Sequence, residues 1–549
     1  MKIDLSVLHP DPEVAAARRA LGERWLAEGL HDMTTLPDLV AQGAREQPDF
    51  EILFHSLERP GRLSLSALER RARAVADVLS RRGIGEGDVV AIQLPNWEEA
   101  AIAYVAVAML GAIFVPIVHI FGPKDTGWIL AASGARMFIC PDRWGKIDYL
   151  DRIARMPESR AVELVLVGRE APEGATLWSD LEAEGDPGFE PPRIDASDAL
   201  LILYTSGTTA EPKGVIHSHQ TLIAELRNMP QAPMGQPERV IMMPWPAGHV
   251  GGLLALLGPI LTRAKTILVD RWDADDVARL MVEHRVNTCC AAPIQVDALL
   301  ERYEAGEADL SAVRDVMSGG AGVPPALIER ADASGWHMVR SYGSSEHPTI
   351  TAGDFDDALA ARANTDGRVW GANEMRLVRS DGEDAGPGEE GEIWSRGPEQ
   401  CLGYTDPERN RESFVAGGWL RSGDVGVLDE AGRLTITDRI KDIIIRGGEN
   451  LSSLEIENLL HRHPAISDAA AVGMPDPRYG ERVCAFVVTA PGCEAPSLEA
   501  LREHFDGLGV ARQKIPEHIV VTEELPRTSS GKVKKHELRK SLTSGEKTR

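Results

Sequence analysis

The sequence predicts an α/β protein: a large N-terminal domain of mixed α/β layers with largely parallel sheets plus a β-subdomain, then a small mobile α+β C-terminal domain. Three observations carry that expectation. Short apolar runs rich in Val, Ile and Leu alternate with helix-like stretches over much of the chain, the pattern of strands joined by crossover helices. From about Glu374 the texture changes to hairpin-like pieces with turn signals, and a last unit mixes helix and strand again. At 549 residues the chain is also too long for one hydrophobic core.

Asp11-Pro12 opens the first helix, which carries Val14, Leu21 and Trp25. Ser66-Ala67-Leu68-Glu69 reads as a capping box, and Leu68, Ala72, Val75, Ala76 and Leu79 then recur on one helical face. VVAIQLP is the next strand. The nearly uncharged stretch from Ala100 to Gly122 has the length of a membrane span, but Gly111 and Pro116 interrupt it. It divides into an alanine-rich helical half and the β-branched AIFVPIV, so a buried helix feeding a buried strand is expected and no integral membrane segment. RMFICPD, VELVLVG, ALLILYTSG, KTILVD, TCCAAP and RDVMSGG continue the strands, with DADDVARLMVEH as an intervening helix. Ligands of such sheets gather beyond the carboxyl ends of the strands, and loops rich in glycine or hydroxyls begin at Ser206, Gly319 and Gly343. Past Glu374, RLVRSDGEDAGPGEEGEIW and VGVLDEAGRLTITDRIKD are hairpins, then LSSLEIENLLHRH a helix and RVCAFVVT a strand. The expected division is residues 1–438, a hinge at 439–441 and a C-terminal domain over 442–549.

The net charge of -25 argues against nucleic acid or an anionic membrane as partner of the whole protein, because either would be repelled. The six cysteines (Cys140, Cys289, Cys290, Cys401, Cys484, Cys493) form no C-x-x-C pair and no regular framework, which fits a reducing compartment. MKIDLSVLHPDPEV lacks the apolar core of a signal peptide, so the expected location is cytoplasmic. Nothing in the pattern addresses oligomeric state.

The stretch YTSGTTAEPKGV, from Tyr204 to Val215, follows the buried run LLILY. Its backbone N–H groups emerge at a strand end, Gly207 permits close approach, Thr205, Ser206, Thr208 and Thr209 add hydroxyls, and Lys213 adds charge. That is a plausible phosphate cradle, with a flexible serine/threonine turn as the alternative. A Walker A loop is excluded, since Pro212 precedes Lys213 and Gly214 follows it.

In order along the chain, YTSGTTAEPKG, SGGAGVPP, SYGSSEHP, GWLRSGDVG, ITDRIKDIIIRGGENLSSLEIE and LPRTSSGKVKK resemble the core motifs of the adenylate-forming superfamily of acyl-CoA synthetases, luciferases and peptide-synthetase adenylation domains. The resemblance spans nearly the whole chain. It implies an acid–thiol ligase that joins a carboxylate to AMP with loss of pyrophosphate and passes the acyl group to a thiol, using ATP, Mg2+ and coenzyme A. The segment from Thr205 to Lys213 would cradle the β- and γ-phosphates, and Glu346, with Thr205, would hold the metal. Gly319, Gly320, Ala321 and Tyr342 would line the adenine, with Gly343, Ser344 and Ser345 completing that nucleotide loop. Asp424 and Arg439 would hold the ribose. Lys532 would steady the charge that develops as the carboxylate attacks. Lys441 matches the hinge, about which rotation would present Arg446, Gly447 and Gly448 and open a thiol channel. His249 matches a gate between the carboxylate and thiol paths. His217 and His219, with no partner ligands nearby, read as structural. Ala210, Ser345 and Ser453 depart from residues frequent in the family.

The peptide-synthetase adenylation domains that the chain resembles usually carry an aspartate just after this histidine motif to hold the substrate ammonium, and the corresponding HVGGLLALLGPIL has no acid, so the resemblance argues against an amino-acid substrate. His249, Val250, Gly251, Gly252, Leu253, Leu254 and the Ala291-Ala292-Pro293 turn would form an apolar acyl pocket, so a bulky hydrophobic monocarboxylate is expected: medium-chain, alicyclic, aryl or steroid side-chain. Two alternatives stay open, an adenylase that loads a carrier protein or an amine, and a non-catalytic nucleotide-binding regulator.

Overall fold

The apolar runs assemble into two sheets whose centres are parallel. In a computed structural model, which describes residues 8–205, 212–228, 236, 238–446, 449–508, 510–528 and 531–544, the strands Glu51–His55, Lys265–Val269, Val240–Met242, Thr288–Ala291, Asp315–Ser318 and His337–Tyr342 lie side by side in that order, all parallel. Short antiparallel strands close both edges. The second sheet runs Ala199–Thr205, Ile113–Pro116, Val89–Ile92, Met137–Pro141, Glu163–Val167 and Thr176–Leu177 in parallel, with Lys213–Ser218 and Gly403–Tyr404 added antiparallel at one edge.

The uncharged stretch after Glu98 is the helix Glu98–Met109 followed by the strand Ile113–Pro116. Every helix residue from Glu99 onward is buried, so the helix is apolar on all sides because protein surrounds it. No helix among the described residues is long and apolar enough to cross a membrane.

The helix expected to start at Ser66 begins earlier. Leu65 is fully buried and belongs to the first turn of Leu65–Arg81, so Ser64 is the N-cap and accepts from the Ala67 N–H, while the Ser66 hydroxyl donates to the Pro48 carbonyl at 2.9 Å. Asp11 caps Pro12–Ala27 as its position suggests, but that helix also buries Arg18 among the apolar residues.

The hairpins after Glu374 form an antiparallel sheet built from Glu374–Val378, Glu390–Arg396, Trp419–Leu428 and Leu434–Arg439, with Phe414–Val415 at one edge. In the last sheet, the strands Ile466–Asp476 and Gly480–Thr489 alternate from Ala469 to Val472 and from Val483 to Val487. Ala469, Ala471, Val483, Ala485 and Val487 pack against the helices Ser453–Leu460 and Leu498–Gly507, whereas Ala470, Val472, Cys484 and Phe486 face Leu538 of the helix Lys535–Ser544. A two-residue period therefore gives this small unit a core on each face.

Candidate functional site

Thr205 pairs with Lys213 in antiparallel register, so Lys213 enters the sheet directly beside Thr205. Ser206, Gly207, Thr208, Thr209 and Ala210 lie outside the described residues, and the backbone of Thr205 is placed by its strand pairing.

Lys213 Nζ sits 5.7 Å from the centre of the Tyr404 ring, and the Tyr404 hydroxyl donates to Glu346 Oε1 at 2.7 Å. Tyr404 comes from the strand paired with Lys213–Ser218, and Glu346 from the turn after His337–Tyr342, so the two sheets meet at this carboxylate. The turn is held from behind. Cys401 N–H donates to the Glu346 carbonyl at 2.8 Å, and His217 Nε2–H donates to the Ser345 carbonyl at 2.7 Å. Buried Arg18 in turn donates to the Gln400 side chain and the Cys401 carbonyl. Burial pulls the His217 imidazole down to about 4, which keeps it a neutral donor. His219 Nδ1 accepts from the Leu36 N–H at 3.1 Å, again a packing role. Among the described residues no three metal-ligating side chains cluster. A lone carboxylate with one oxygen fixed by a phenol still suits Mg2+, which takes one or two protein oxygens and completes its shell with phosphate and water.

Asp424 and Arg439 are cross-strand partners, with Arg439 Nε 2.8 Å from Asp424 Oδ1. The Tyr342 hydroxyl donates to the other oxygen, Oδ2, at 2.8 Å. Beside Tyr342, Gly343 lets the turn fold on itself, since a Cβ there would lie 1.9 Å from the Pro348 carbonyl oxygen. Gly319, Gly320 and Ala321 follow directly from the carboxyl end of Asp315–Ser318.

Lys532 arrives from the C-terminal unit on a tight turn, where Thr528 N–H donates to the Lys532 carbonyl at 2.7 Å and Lys532 N–H to Thr528 Oγ1 at 3.1 Å. The turn needs Gly531 at φ +83°, and that residue rests against Ala292 and Ile294 at a strand end of the first sheet. Burial, then the Arg439 charge, pushes the Lys532 ammonium down to about 7, against the pull of Asp424 and Asp442. Lys213 is lowered too, by burial and by Arg409, Lys441 and Arg439, with Glu346 opposing. Cations crowd one end of this acidic molecule, and an anion placed among them would relieve their repulsion.

One continuous cavity of about 1460 Å³ joins these groups to an apolar wall that includes Val118, Phe121, Met243 and Leu254. His249 lines it as well. Its Nδ1 accepts from the Gly251 N–H at 3.2 Å at the start of Val250–Thr262, so the neutral ring carries its proton on Nε2; desolvation holds its pKa at about 4. Val250, Gly251, Ala292, Ser344 and Ser345 line the same cavity.

Other expected residues are elsewhere. Gly252 packs against backbone, where a Cβ would lie 1.9 Å from the Pro246 carbonyl oxygen, and Leu253 is fully buried in the core behind the wall. Arg446 donates twice to Glu517, at 2.9 Å each, with its guanidinium over the Tyr479 ring. Gly447 and Gly448 lie outside the described residues. Lys441 is exposed at the cavity rim, between Arg439 in the hairpin sheet and Ile444–Arg446 in the terminal sheet. Around that crossing Asp438 accepts from Ser453 N–H (2.5 Å) and Ser453 Oγ (3.0 Å), and Asp442 pairs with Arg539 at 2.8 Å. A proline at 453 would lack the first of these donors.

Sequence reasoning missed Tyr404 and Trp245. The first carries no local signal, because its partner Glu346 is 58 residues away. The second stands between Pro244 and Pro246, which marks a rigid extended segment.

Residues 40–405 match the AMP-binding enzyme family and residues 455–532 the AMP-binding enzyme C-terminal domain. The chain is 35% identical over 520 residues to a medium-chain fatty-acid–CoA ligase of Escherichia coli K12, covering 94% of this chain and 92% of that one. It is 32% identical to the indoleacetate–CoA ligase of Aromatoleum aromaticum, over 87% and 92% of the two chains. Among solved structures, ATP-bound MatB from Rhodopseudomonas palustris superposes with a TM-score of 0.82 at 26% identity, over 92% of this chain and 99% of that one. The amide bond synthetase McbA from Marinactinospora thermotolerans gives 0.80 at 28%, with the same coverage.

Proposed function

The chain belongs to the AMP-binding enzyme family, and from that premise we propose that it activates a hydrophobic monocarboxylic acid as its acyl-adenylate and transfers the acyl group to coenzyme A. The acid's oxygen attacks the α-phosphorus of ATP and pyrophosphate leaves with the bridging electrons. The thiol sulfur then attacks the acyl carbon, and AMP departs with the carboxyl oxygen it gained. The observation that carries this reading is the single cavity that joins an apolar end at Val118, Phe121, Met243 and Leu254 to a polar end at Glu346, Asp424, Arg439 and Lys532.

Each residue's part follows from its chemistry. Asp424, oriented by Tyr342 and Arg439, offers acceptor oxygens to the ribose hydroxyls. Lys213 and Lys532 supply positive charge toward the phosphates in a site where burial strengthens it. Glu346 would hold Mg2+, whose charge assists the departing pyrophosphate. His249, neutral and donating only from Nε2, does not pair with the carboxylate as a cation. The apolar wall residues Val118, Phe121, Met243 and Leu254 carry no charge, in keeping with relatives named for medium-chain and indole acids. In this reading residues 439–441 are the hinge, and rotation about Lys441 exchanges the Lys532 turn for the loop that follows Arg446.

The test is pyrophosphate release with Mg-ATP across a panel of carboxylic acids, with and without coenzyme A, following acyl-CoA by mass. Lys532→Ala is expected to suppress adenylate formation far more than thioester formation from preformed acyl-adenylate. Equal loss of both steps refutes the role of Lys532. Adenylate without thioester moves the acceptor to a carrier protein or an amine.

A further inference from the structure

Trp245 lines the cavity with its ring between Gly251 of the expected acyl pocket and Gly320 of the expected nucleotide loop. It follows the strand Val240–Met242 between Pro244 and Pro246, whose rings fix the backbone torsion on either side. Asn96 Nδ2 donates to the Trp245 carbonyl at 2.8 Å and to the Val269 carbonyl at 2.9 Å, which ties the segment to the neighbouring strand. The indole stacks on the His249 imidazole with centroids 5.4 Å apart and planes inclined by 15°. Cys290, on the strand Thr288–Ala291, lines the same cavity. A Cβ added at Gly251 would lie 3.3 Å from the indole Cγ, and one at Gly320 would lie 3.2 Å from Cη2. The ring thus spans the gap between the start of Val250–Thr262 and the loop after Asp315–Ser318, and two glycines leave it room.

We propose that Trp245 is the specificity-determining residue of the acyl end: its indole is the wall that sets how bulky an acid is admitted, with Gly251 as the position that lets the wall lie flat. This rests on the acid-activating reading given above. A wall pinned through its backbone carbonyl and one ring face does not swing aside for a larger substrate. Truncating it leaves space that the surrounding fold refills only in part. Each methylene that gains or loses a place in such a pocket changes discrimination by about 10-fold or more.

The experiment measures kcat/KM for a series of straight-chain, alicyclic and aryl acids at saturating Mg-ATP. It compares wild type with Trp245→Leu, Trp245→Ala and Gly251→Ala, with thermal melting to confirm folding. The two Trp245 variants are expected to shift preference toward bulkier acids by about 10-fold or more, relative to the best wild-type acid. Gly251→Ala presses on the ring and is expected to shift preference toward smaller acids, and that shift disappears in the Trp245→Ala background. Folded Trp245 variants that keep the wild-type ranking of acids overturn the proposal. Wild type that releases no pyrophosphate with any acid overturns the activation reading and this proposal with it, so the two failures are distinguishable.

Discussion

Tyr404→Phe removes one atom from the site and isolates the anchoring of Glu346. The Tyr404 hydroxyl donates to Glu346 Oε1 at 2.7 Å from a side chain that is 3% exposed, so water does not readily replace it. Phenylalanine keeps the ring, its edge contact with Phe414 and the face presented to Lys213. A hydrogen bond to a charged group contributes about 1.5–3 kcal/mol, and each 1.4 kcal/mol is tenfold. If Glu346 binds Mg2+ in the orientation that Tyr404 sets, kcat/KM for Mg-ATP falls about 10- to 100-fold in Tyr404→Phe. The Mg2+ concentration for half-maximal pyrophosphate release rises with it. The assay titrates Mg2+ at fixed ATP for wild type, Tyr404→Phe, Glu346→Gln and the double variant. Because the phenol acts through the carboxylate, Tyr404→Phe should cost little once Glu346→Gln is in place, a coupling of about 1.5–3 kcal/mol. Additive losses in the double variant would refute the reasoning.

Two further outcomes concern protons and packing. With Lys532 lowered to about 7, the free enzyme loses that proton as pH rises through neutrality, and a bound triphosphate favours the charged form. At pH 8 a non-hydrolysable ATP analogue should therefore bind with uptake of up to about 0.9 proton. The readout is binding enthalpy in two buffers of different ionisation enthalpy: the difference is expected in wild type and largely absent in Lys532→Ala, and no difference in wild type contradicts the shift. Gly252→Ala sets a Cβ 1.9 Å from the Pro246 carbonyl oxygen, a backbone atom that cannot step aside cheaply. It should destabilise the protein by about 1–3 kcal/mol or more, read as a lower denaturation midpoint, and an unchanged midpoint would show that the Pro246 turn yields.

Much of the polar end of the cavity was legible because the residues concerned sit in short contiguous motifs. A glycine, a hydroxyl run or an acid at a strand end has its meaning within a few residues, so Lys213, Gly319, Glu346, Asp424, Arg439 and Lys532 were all nameable. Their environment was not. That Tyr404 restrains Glu346 and that Arg439 weakens the Lys532 proton depends on segments distant in the chain. The capping box at Ser66 failed for a related reason, because burial of Leu65 moved the helix start and the cap with it.

By itself the sequence determined the alternation of strand and helix, the loops at strand ends and the change of texture near Glu374, since periodicity, turn chemistry and hydrophobic runs are local properties. Only the tertiary structure decided which side chains face the cavity. Gly252 and Leu253 follow Gly251 directly, yet a helix advances about 100° per residue, and that rotation turns Gly252 onto backbone and Leu253 into the core. The place of Trp245, set by the Asn96 amide and the His249 ring, was likewise fixed by packing.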